Sequence, residues 1–208
     1  MRALPVGDGA LLVEVASGEE ARALHAELVR RRAEGSLAVR EIVPAARTVL
    51  LDGLDDPVRL ASELTSSPVP PAPPPAAELV ELPVRYDGPD LAEVAAHWGV
   101  PEREAARIHA ANEFTVAFCG FAPGFGYLTG LPAHYDVPRR ATPRTAVPAG
   151  AVALAGPYTG VYPRSSPGGW QLIGTTDAVL WDPARVPAAL LSPGTRVRFV
   201  PAGAVKGV

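Results

Sequence analysis

The sequence predicts an α+β protein built from two domains. Three observations lead to this fold class. Residues 1–67 alternate strand-type and helix-type segments, residues 68–77 contain six prolines, and residues 78–208 carry short apolar runs separated by glycine and proline. The first pattern is typical of a two-layer sandwich, and the last is typical of a β-barrel or β-sandwich. A length of 208 residues allows both domains to bury a core.

The N-terminal domain is predicted from the order of its elements. Ser17 and Glu20 have the spacing of a capping box at the start of a helix. The predicted elements are strands at 10–16, 39–44 and 47–53, a helix from Ser17 to about Glu34 and a helix that starts at Asp56. The order β-α-β-β-α, with the first residues available as a further strand, indicates a small sandwich of ferredoxin-like type.

Residues 68–77, PVPPAPPPAA, divide the chain. Their prolines favour an extended polyproline II conformation, which acts as a semi-rigid spacer. We interpret the segment as an interdomain linker; the alternative is a docking site for a proline-binding module. The predicted domains are therefore 1–67 and 78–208, with 68–77 between them.

The C-terminal domain is predicted to begin with a strand and two short helices. The predicted elements are helices at 90–98 and 101–112 and strands at 78–86, 114–121, 151–156, 160–163, 170–174, 178–181 and 196–200. Asp90 and Glu93 are expected to cap the first helix. The helical pair resembles a helix-turn-helix, but its net charge of −2 would repel phosphates, so we expect no nucleic-acid partner.

Composition restricts the function further. The formal charge of −3, the pI near 5.8 and the single lysine argue against binding to nucleic acid or to a membrane surface. A single cysteine, Cys119, excludes an internal disulfide and a cysteine-cluster zinc site. The N-terminus lacks the apolar run of a signal peptide and no 18-residue apolar stretch occurs, so we expect a cytoplasmic protein.

The segment 119–176 is the predicted working surface. It holds 10 of the 20 glycines and four arginines but only one acid, Asp136. Within it, GFAPGFGY places Phe121, Phe125 and Tyr127 between glycines that include Gly124. These aromatics either line a pocket beside exposed backbone N–H groups or lie buried in a tight turn. The motif is neither a dinucleotide fingerprint nor a phosphate-binding loop.

Two further motifs in this segment favour ligand binding. PRRATPR places Arg139, Arg140 and Arg144 on a loop stiffened by proline, with few acids in the segment to pair with them. This favours an anion site over solvated surface arginines. PRSSPGGW offers Ser165 or Ser166 and backbone donors to a ligand oxygen, or it is a hairpin with Trp170 packed inward. No GxSxG motif supports a serine hydrolase.

Histidine is the remaining candidate for acid–base chemistry. We prefer His109, on the inner face of a predicted helix, although a hydrogen-bonded core histidine is the open alternative. No histidine has metal-ligand spacing to a carboxylate, so we expect no metal site. Cys119 lies in an apolar strand and is interpreted as a small buried hydrophobe.

The motifs together resemble a known family. IHAANEFTVAFCGFAPGFGYLTGLP, VPRRATPR, VPAGAVALAGPYTGVYPRSSPGGWQLIGTT and LSPGTRVRFVP are similar to the family of 5-oxoprolinase B subunits (PxpB), also called the KipI or allophanate hydrolase subunit 1 family. The resemblance implies a ferredoxin-like N-terminal domain and a cyclophilin-like β-barrel. It also implies one component of an ATP-dependent 5-oxoprolinase, which opens 5-oxo-L-proline to L-glutamate.

Partners and site residues follow from the same resemblance. The implied partners are a C-subunit homologue of KipA/PxpC type and an A-subunit homologue of LamB/YcsF type, and the implied co-substrate is ATP. No hydrolase activity is expected of this chain alone. The predicted catalytic residues are His109, Arg139 and Arg144. The predicted substrate-binding or anion-binding residues are Phe121, Gly124, Phe125, Tyr127, Tyr162, Ser166, Gly168, Gly169 and Trp170. The alternative function is a KipI-like inhibitor of a sensor histidine kinase, for which the aromatics would be a docking patch.

Overall fold

The chain is described by a computed structural model that covers residues 1–66, 70–71 and 79–203. Two compact units are present, Met1–Ala76 and Ala77–Val208. Most of the proline-rich segment 68–77 lies outside the described residues, and so does its expected polyproline conformation. None of the described helices is both long enough and apolar enough to cross a membrane.

The first unit is an antiparallel sheet with two helices. Its elements are β1 (Arg2–Val6), β2 (Ala10–Glu14), α1 (Gly18–Ala33), β3 (Glu41–Pro44), β4 (Thr48–Asp52) and α2 (Pro57–Ser66). The strand order is β1-β2-β4-β3. Ser17 is the N-cap of α1 and its Oγ accepts a hydrogen bond from the Glu20 backbone N at 3.1 Å. The predicted strands and helices of this unit are confirmed, and the first residues do form an edge strand.

The second unit contains more strand than helix, as predicted. Its elements are β5 (Leu79–Val84), α3 (Leu91–Trp98), α4 (Glu102–Ala111), β6 (Glu113–Cys119), β7 (Gly126–Thr129), a 3-10 turn (Ala133–Tyr135), β8 (Arg144–Val147), β9 (Ala151–Ala155), β10 (Tyr158–Val161), β11 (Ser166–Gly168), β12 (Gln171–Thr175) and β13 (Arg196–Pro201). Three of these strands, β7, β8 and β11, lie where the sequence predicted no separate strand. The strand expected at 178–181 is wrong, because only Trp181 forms a bridge there, to Ala189.

Seven strands form a sheet that is nearly closed into a barrel. Their order is β12-β9-β10-β7-β6-β13-β5, so β12 and β5 are the two edges. Arg85 and Thr175 exchange two backbone hydrogen bonds of 2.8 Å, which join these edges at one point. Gly174 permits this approach, since a Cβ there would overlap the carbonyl oxygen of Arg85. The molecule is thus a mixed α+β protein with a nearly closed barrel.

Two hydrophobic clusters fill the second unit. The larger packs residues of β5, β6 and β13, such as Leu82, Phe114 and Phe199, against α3 and α4. The smaller contains Phe125, Tyr162 and Trp170, and all of its residues belong to segment 119–176. The second cluster therefore forms the base of the predicted working surface.

Candidate functional site

The five aromatic residues of the predicted site lie together. Phe125 is 1% exposed, and its ring lies in edge-to-face contact with those of Tyr127 at 5.0 Å, Tyr162 at 5.4 Å and Trp170 at 5.4 Å. Phe121 contacts the same group at 5.3 Å from Phe125 but is 57% exposed. Such contacts are favourable beyond burial alone. Phe125, Tyr162 and Trp170 therefore form a buried base, as the tight-turn interpretation requires. Phe121 and the half-buried Tyr127 form the rim of the cluster.

Phe121 has a strained backbone. Its φ of +67° lies in the left-handed region, which is an outlier for a bulky non-glycine residue. The turn around it is fixed by hydrogen bonds from Gly120 N to Phe125 O at 3.2 Å and from Phe125 N to Ala122 O at 2.9 Å. Strain of this kind is concentrated at functional sites. It therefore supports the assignment of this turn to a binding surface.

Gly124 has a packing role. Its φ is +82°, and a Cβ at this position would clash with the Cβ of Trp181 and the backbone of Leu180. The glycine thus lets the segment around Trp181 pack against the aromatic turn. The family resemblance implies that Gly124 binds substrate or an anion, and this stays a prediction. In the structure, the neighbours that its missing side chain admits are Leu180 and Trp181 of the same chain.

Arg139 is the arginine that lies over the aromatic cluster. It is exposed, and its Cζ lies 6.0 Å from the centre of the Trp170 ring, within cation–π range. No carboxylate pairs with it among the described residues. Burial raises the pKa of the Tyr127 and Tyr162 hydroxyls, and the positive charge of Arg139 opposes that shift in both.

Arg140 and Arg144 belong to residues 138–144, which we call the arginine loop, and both pair with a carboxylate. This corrects the expectation that acids are too few to pair with these arginines. Asp90 accepts hydrogen bonds from Arg140 Nη1 at 2.7 Å and from Arg144 Nη2 at 2.6 Å. Asp90 occupies the N-cap position of α3, but its side chain makes no capping bond, contrary to the prediction. Sequence reasoning missed this contact because Asp90 is 50 and 54 residues from its partners.

The strands β8 and β11 bring the two polar motifs together. Gly168 pairs with Arg144, and the Gly169 carbonyl accepts a hydrogen bond from the Arg140 backbone N at 2.8 Å. Gly168 also has no room for a side chain, because a Cβ would overlap the hydroxyl of Tyr162. Ser166 is 9% exposed and its Oγ donates to the Arg164 carbonyl at 3.2 Å. The hydroxyl of Ser166 is therefore hydrogen-bonded within its own loop.

Gln171 is a further polar residue that the sequence did not single out. It follows Trp170 directly, is 3% exposed, and its Nε2 lies 3.3 Å from both Glu93 Oε1 and the Pro138 carbonyl. These contacts link β12 to the residue that precedes the arginine loop. A buried amide beside an arginine loop is a polar feature that only the folded arrangement shows.

His109 lies in the larger core, apart from the aromatic cluster. It is fully buried, with Nδ1 2.8 Å from the Tyr86 hydroxyl and Nε2 3.3 Å from Thr159 Oγ1. Its ring packs against Phe114 and Phe199 at 4.9 and 4.6 Å. Burial lowers the pKa of His109 to about 3. The geometry favours the core-histidine alternative over an acid–base role.

Within the described residues, neither a reactive Cys119 thiol nor a metal site is indicated. The Cys119 thiol is half-buried, burial raises its pKa, and its Sγ lies 3.7 Å from the Leu191 carbonyl. Within the described ranges, no three His, Cys, Asp or Glu side chains are grouped as a metal ion would require. The candidate site therefore consists of the aromatic cluster and the arginine loop.

Comparison with known proteins agrees with the motifs. The chain is 54% identical over 130 residues to the 5-oxoprolinase B subunit of Escherichia coli O157:H7, a match that covers 61% of this chain and 60% of the relative. It is 47% identical over 125 residues to the 5-oxoprolinase B subunit of Bacillus subtilis strain 168, covering 59% of this chain and 52% of the relative. The matched parts thus span 60% or less of each relative. The resemblance to the family of 5-oxoprolinase B subunits is confirmed.

The fold is also found in solved structures. The crystal structure of the protein TTHA0988 superposes with a TM-score of 0.76 at 36% identity, over 95% of this chain and 41% of that chain. The profile of one protein family, described as the carboxyltransferase domain, subdomain C and D, matches residues 1–191. This match spans both units of the structure. The chain belongs to the family of carboxyltransferase domain, subdomain C and D, proteins.

Proposed function

We propose that the chain is one subunit of an ATP-dependent 5-oxoprolinase, which opens 5-oxo-L-proline to L-glutamate. The observation that carries this proposal is the 54% identity to a relative named as a 5-oxoprolinase B subunit. The proposed partners are homologues of the A and C subunits, and ATP is the co-substrate. Because the chain matches only 60% of that relative's length, the activity of the whole complex is part of the proposal.

The candidate site suits an anionic substrate. Arg139 presents a guanidinium above Trp170, and Arg144 lies on the adjoining strand β8. Guanidinium groups bind carboxylates and phosphates through two parallel hydrogen bonds. Both 5-oxoproline and ATP carry such groups. The rim formed by Phe121 and Tyr127 supplies apolar surface for a small ring.

Ring opening adds water across the amide bond of 5-oxoproline and yields a free amine and a carboxylate. That step needs a group that activates water or the carbonyl. The described residues place no nucleophile–base pair beside Arg139. His109 packs against Phe114 and Phe199 of the larger hydrophobic cluster, which does not contain Trp170. We therefore propose that this chain binds and orients substrate, that partner subunits complete the reacting groups, and that the chain alone is inactive.

We also propose a ferredoxin-like fold for the first unit. The first unit has the order β2-α1-β3-β4-α2, with β1 added beside β2 at the sheet edge. This order supports a ferredoxin-like domain whose edge strand comes from the N-terminus. We propose a cyclophilin-like identity for the barrel. The boundaries 1–67, 68–77 and 78–208 and a cytoplasmic location remain predictions.

Reconstitution tests the proposed function. The chain is co-expressed with homologues of the A and C subunits, and glutamate and ADP are measured with 5-oxo-L-proline and ATP. We expect both products from the complex and neither from the lone chain. Arg139→Ala and Arg144→Ala are expected to lower turnover at least about a hundredfold. Arg103→Ala, an exposed arginine on α4, is the matched control.

Two results would contradict this proposal. Turnover at the wild-type rate in folded Arg139 and Arg144 variants would remove these residues from the site. Cleavage by the chain alone would remove the requirement for partners. The alternative function, inhibition of a sensor kinase, gains no support from the curated relatives, which are named as 5-oxoprolinase B subunits.

A further inference from the structure

A buried carboxylate outside the predicted site holds the arginine loop. Asp90 is 3% exposed, and its Oδ1 accepts hydrogen bonds from both Arg140 Nη1 and Arg144 Nη2. Its Oδ2 accepts a third hydrogen bond from the Leu172 backbone N at 2.7 Å. One carboxylate therefore joins the start of α3, the arginine loop and the start of β12.

The two paired guanidinium groups keep donors that no described residue uses. Arg140 Nε and Arg144 Nη1 are buried, and neither has a hydrogen-bond partner within the described part of the chain. Asp90 contacts each guanidinium through a single nitrogen, which leaves the other N–H groups of each fork unengaged by it. Buried donors of this kind are costly unless they are satisfied. The group of Asp90, Arg140 and Arg144 therefore does not satisfy all of its own hydrogen-bond donors.

The charge of the cluster is also unbalanced. Asp90 contributes one negative charge against the two positive charges of Arg140 and Arg144. Glu93 lies 3.6 Å from Arg140 Nη1, but its side chain is 63% exposed, so solvent screens it strongly. Arg139 adds a third positive charge on the same loop, above Trp170. An anionic group is the partner that this excess charge and these donors lack.

We infer that Asp90 is a positioning residue for an anion site formed by Arg139, Arg140 and Arg144. Like charges repel, and the Asp90 carboxylate that Arg140 and Arg144 share offsets this repulsion. Asp90 does so while it leaves donors on each. The Arg140 backbone N also donates to the Gly169 carbonyl, next to Trp170, so the same clamp fixes the loop segment that carries Arg139. The inference rests on the proposed anion-binding function and adds Asp90 and Arg140 to its site.

The expected ligand group is a carboxylate or a phosphate. The direction in which anion affinity changes when Asp90 is replaced distinguishes two possible roles of this residue. If Asp90 acted only through its charge, its removal would make the loop more positive and anion binding tighter. If it positions the arginines, removal weakens binding despite the added positive charge. Asp90→Asn keeps the shape and removes the charge, whereas Asp90→Glu keeps the charge and displaces the carboxylate by one methylene.

The test uses the full chain labelled with 5-fluorotryptophan and observed by ¹⁹F NMR. Trp170 reports on the arginine loop, while Trp98, which packs against Tyr135, is the internal control. The chain is titrated with sodium phosphate and, separately, with sodium 5-oxo-L-prolinate at constant ionic strength. In the wild type we expect a saturable shift of the Trp170 resonance. The more effective probe identifies whether the site takes a phosphate or a carboxylate.

Both Asp90 variants are expected to raise the dissociation constant of that probe at least about tenfold. Glu104→Gln, which removes one charge from an exposed pair with Arg107, should leave it unchanged. Equal or tighter binding by both Asp90 variants overturns the inference. So does the absence of a saturable Trp170 shift in the wild type with either probe. If Asp90→Asn loses its folded spectrum, Asp90→Glu alone decides.

The reconstituted complex separates this inference from the proposed activity. In a working complex, Asp90→Glu should raise the KM for the anionic substrate at least about tenfold and lower kcat less. A wild-type complex that releases no glutamate contradicts the proposed 5-oxoprolinase, yet the ¹⁹F titration still decides on Asp90. Unchanged KM in an active complex contradicts the role of Asp90 and leaves the proposed activity standing.

Discussion

At the scale of single residues, burial separates the candidate catalytic groups from one another. His109 is held between Tyr86 and Thr159 in an apolar core, so the folded chain disfavours its charged form. Arg139, by contrast, is exposed and has an aromatic face beside it. The residue types that sequence reasoning selected for chemistry thus divide into a core group and a surface group, and the surface group forms the proposed site.

The buried state of His109 predicts a pH dependence of stability. In the unfolded chain its pKa is near 6.5, and in the folded chain it is about 3, so the unfolded state binds more protons below pH 6.5. Stability from this group is complete above pH 6.5 and is lost as the pH falls toward 3. Between pH 7 and 5 we expect a loss of about 2 kcal/mol in the free energy of unfolding.

Urea unfolding at pH 7, 6 and 5 measures this loss. His109→Gln should remove about 2 kcal/mol of the difference between pH 7 and pH 5. The comparison of variant with wild type matters, because burial also lowers the pKa of His25 and adds a loss of the same sign. If the free energy of unfolding of His109→Gln depends on pH as strongly as that of the wild type, folding does not lower the pKa of His109.

The pairing of Asp90 shows what residue-level sequence reasoning lacks. The spacing and the prolines that identify the arginine loop are both local properties of the sequence. Its carboxylate partner lies 50 residues away from Arg140 and reaches it only because α3 and β12 meet. Local patterns therefore identify the candidate surface, whereas the contacts that orient it depend on tertiary packing.

At the scale of elements, hydrophobic periodicity predicted most helices and strands. The errors lie in the segments rich in glycine and proline and at the strand expected at 178–181. The strands β7, β8 and β11 contain glycine, arginine or proline, and their strand conformation comes from pairing with β6, β10 and each other. Residues 178–181 have the apolar, β-branched character of a strand but lack a continuous partner. Strand propensity reflects how well a side chain fits a sheet, and it does not show whether a neighbouring strand is available for pairing.

The turn that carries Phe121 gives a prediction for one element. Phe121 has a φ of +67°, where any residue with a Cβ is strained by about 1–2 kcal/mol. Alanine at this position keeps the strain and loses the ring contacts, whereas glycine loses the contacts and relieves the strain. We therefore expect Phe121→Gly to be more stable than Phe121→Ala by about 1 kcal/mol, as measured by urea unfolding.

The control is a helical position with the opposite preference. Arg107 lies within α4 and is exposed, so Arg107→Ala should be more stable than Arg107→Gly by about 1 kcal/mol. Both substitutions lose the same ion pair with Glu104, which cancels in the comparison. If alanine is the more stable residue at both positions, the turn around Phe121 does not impose a left-handed backbone.

At the scale of the whole second unit, barrel closure links the fold to the candidate site. The seam between β5 and β12 starts with the mutual hydrogen bonds of Arg85 and Thr175. It continues from Gly88 N to the Ile173 carbonyl and from Asp90 N to the Leu172 carbonyl. The same seam that closes the sheet thus brings Asp90 to the arginine loop. The sequence predicted a barrel or sandwich but not this closure, because the closure joins two edges that lie far apart in the chain.

Substitution at the seam tests this closure. Gly174→Ala places a Cβ against the Arg85 carbonyl and the side chain of Val84, so the edges must separate or the backbone must shift. We expect a loss of about 2 kcal/mol in the free energy of unfolding and faster amide hydrogen exchange at Arg85 and Thr175. Gly120→Ala is the control, since its nearest neighbour would be 3.8 Å away. Unchanged protection at Thr175 in Gly174→Ala would show that the edges are not joined at this point.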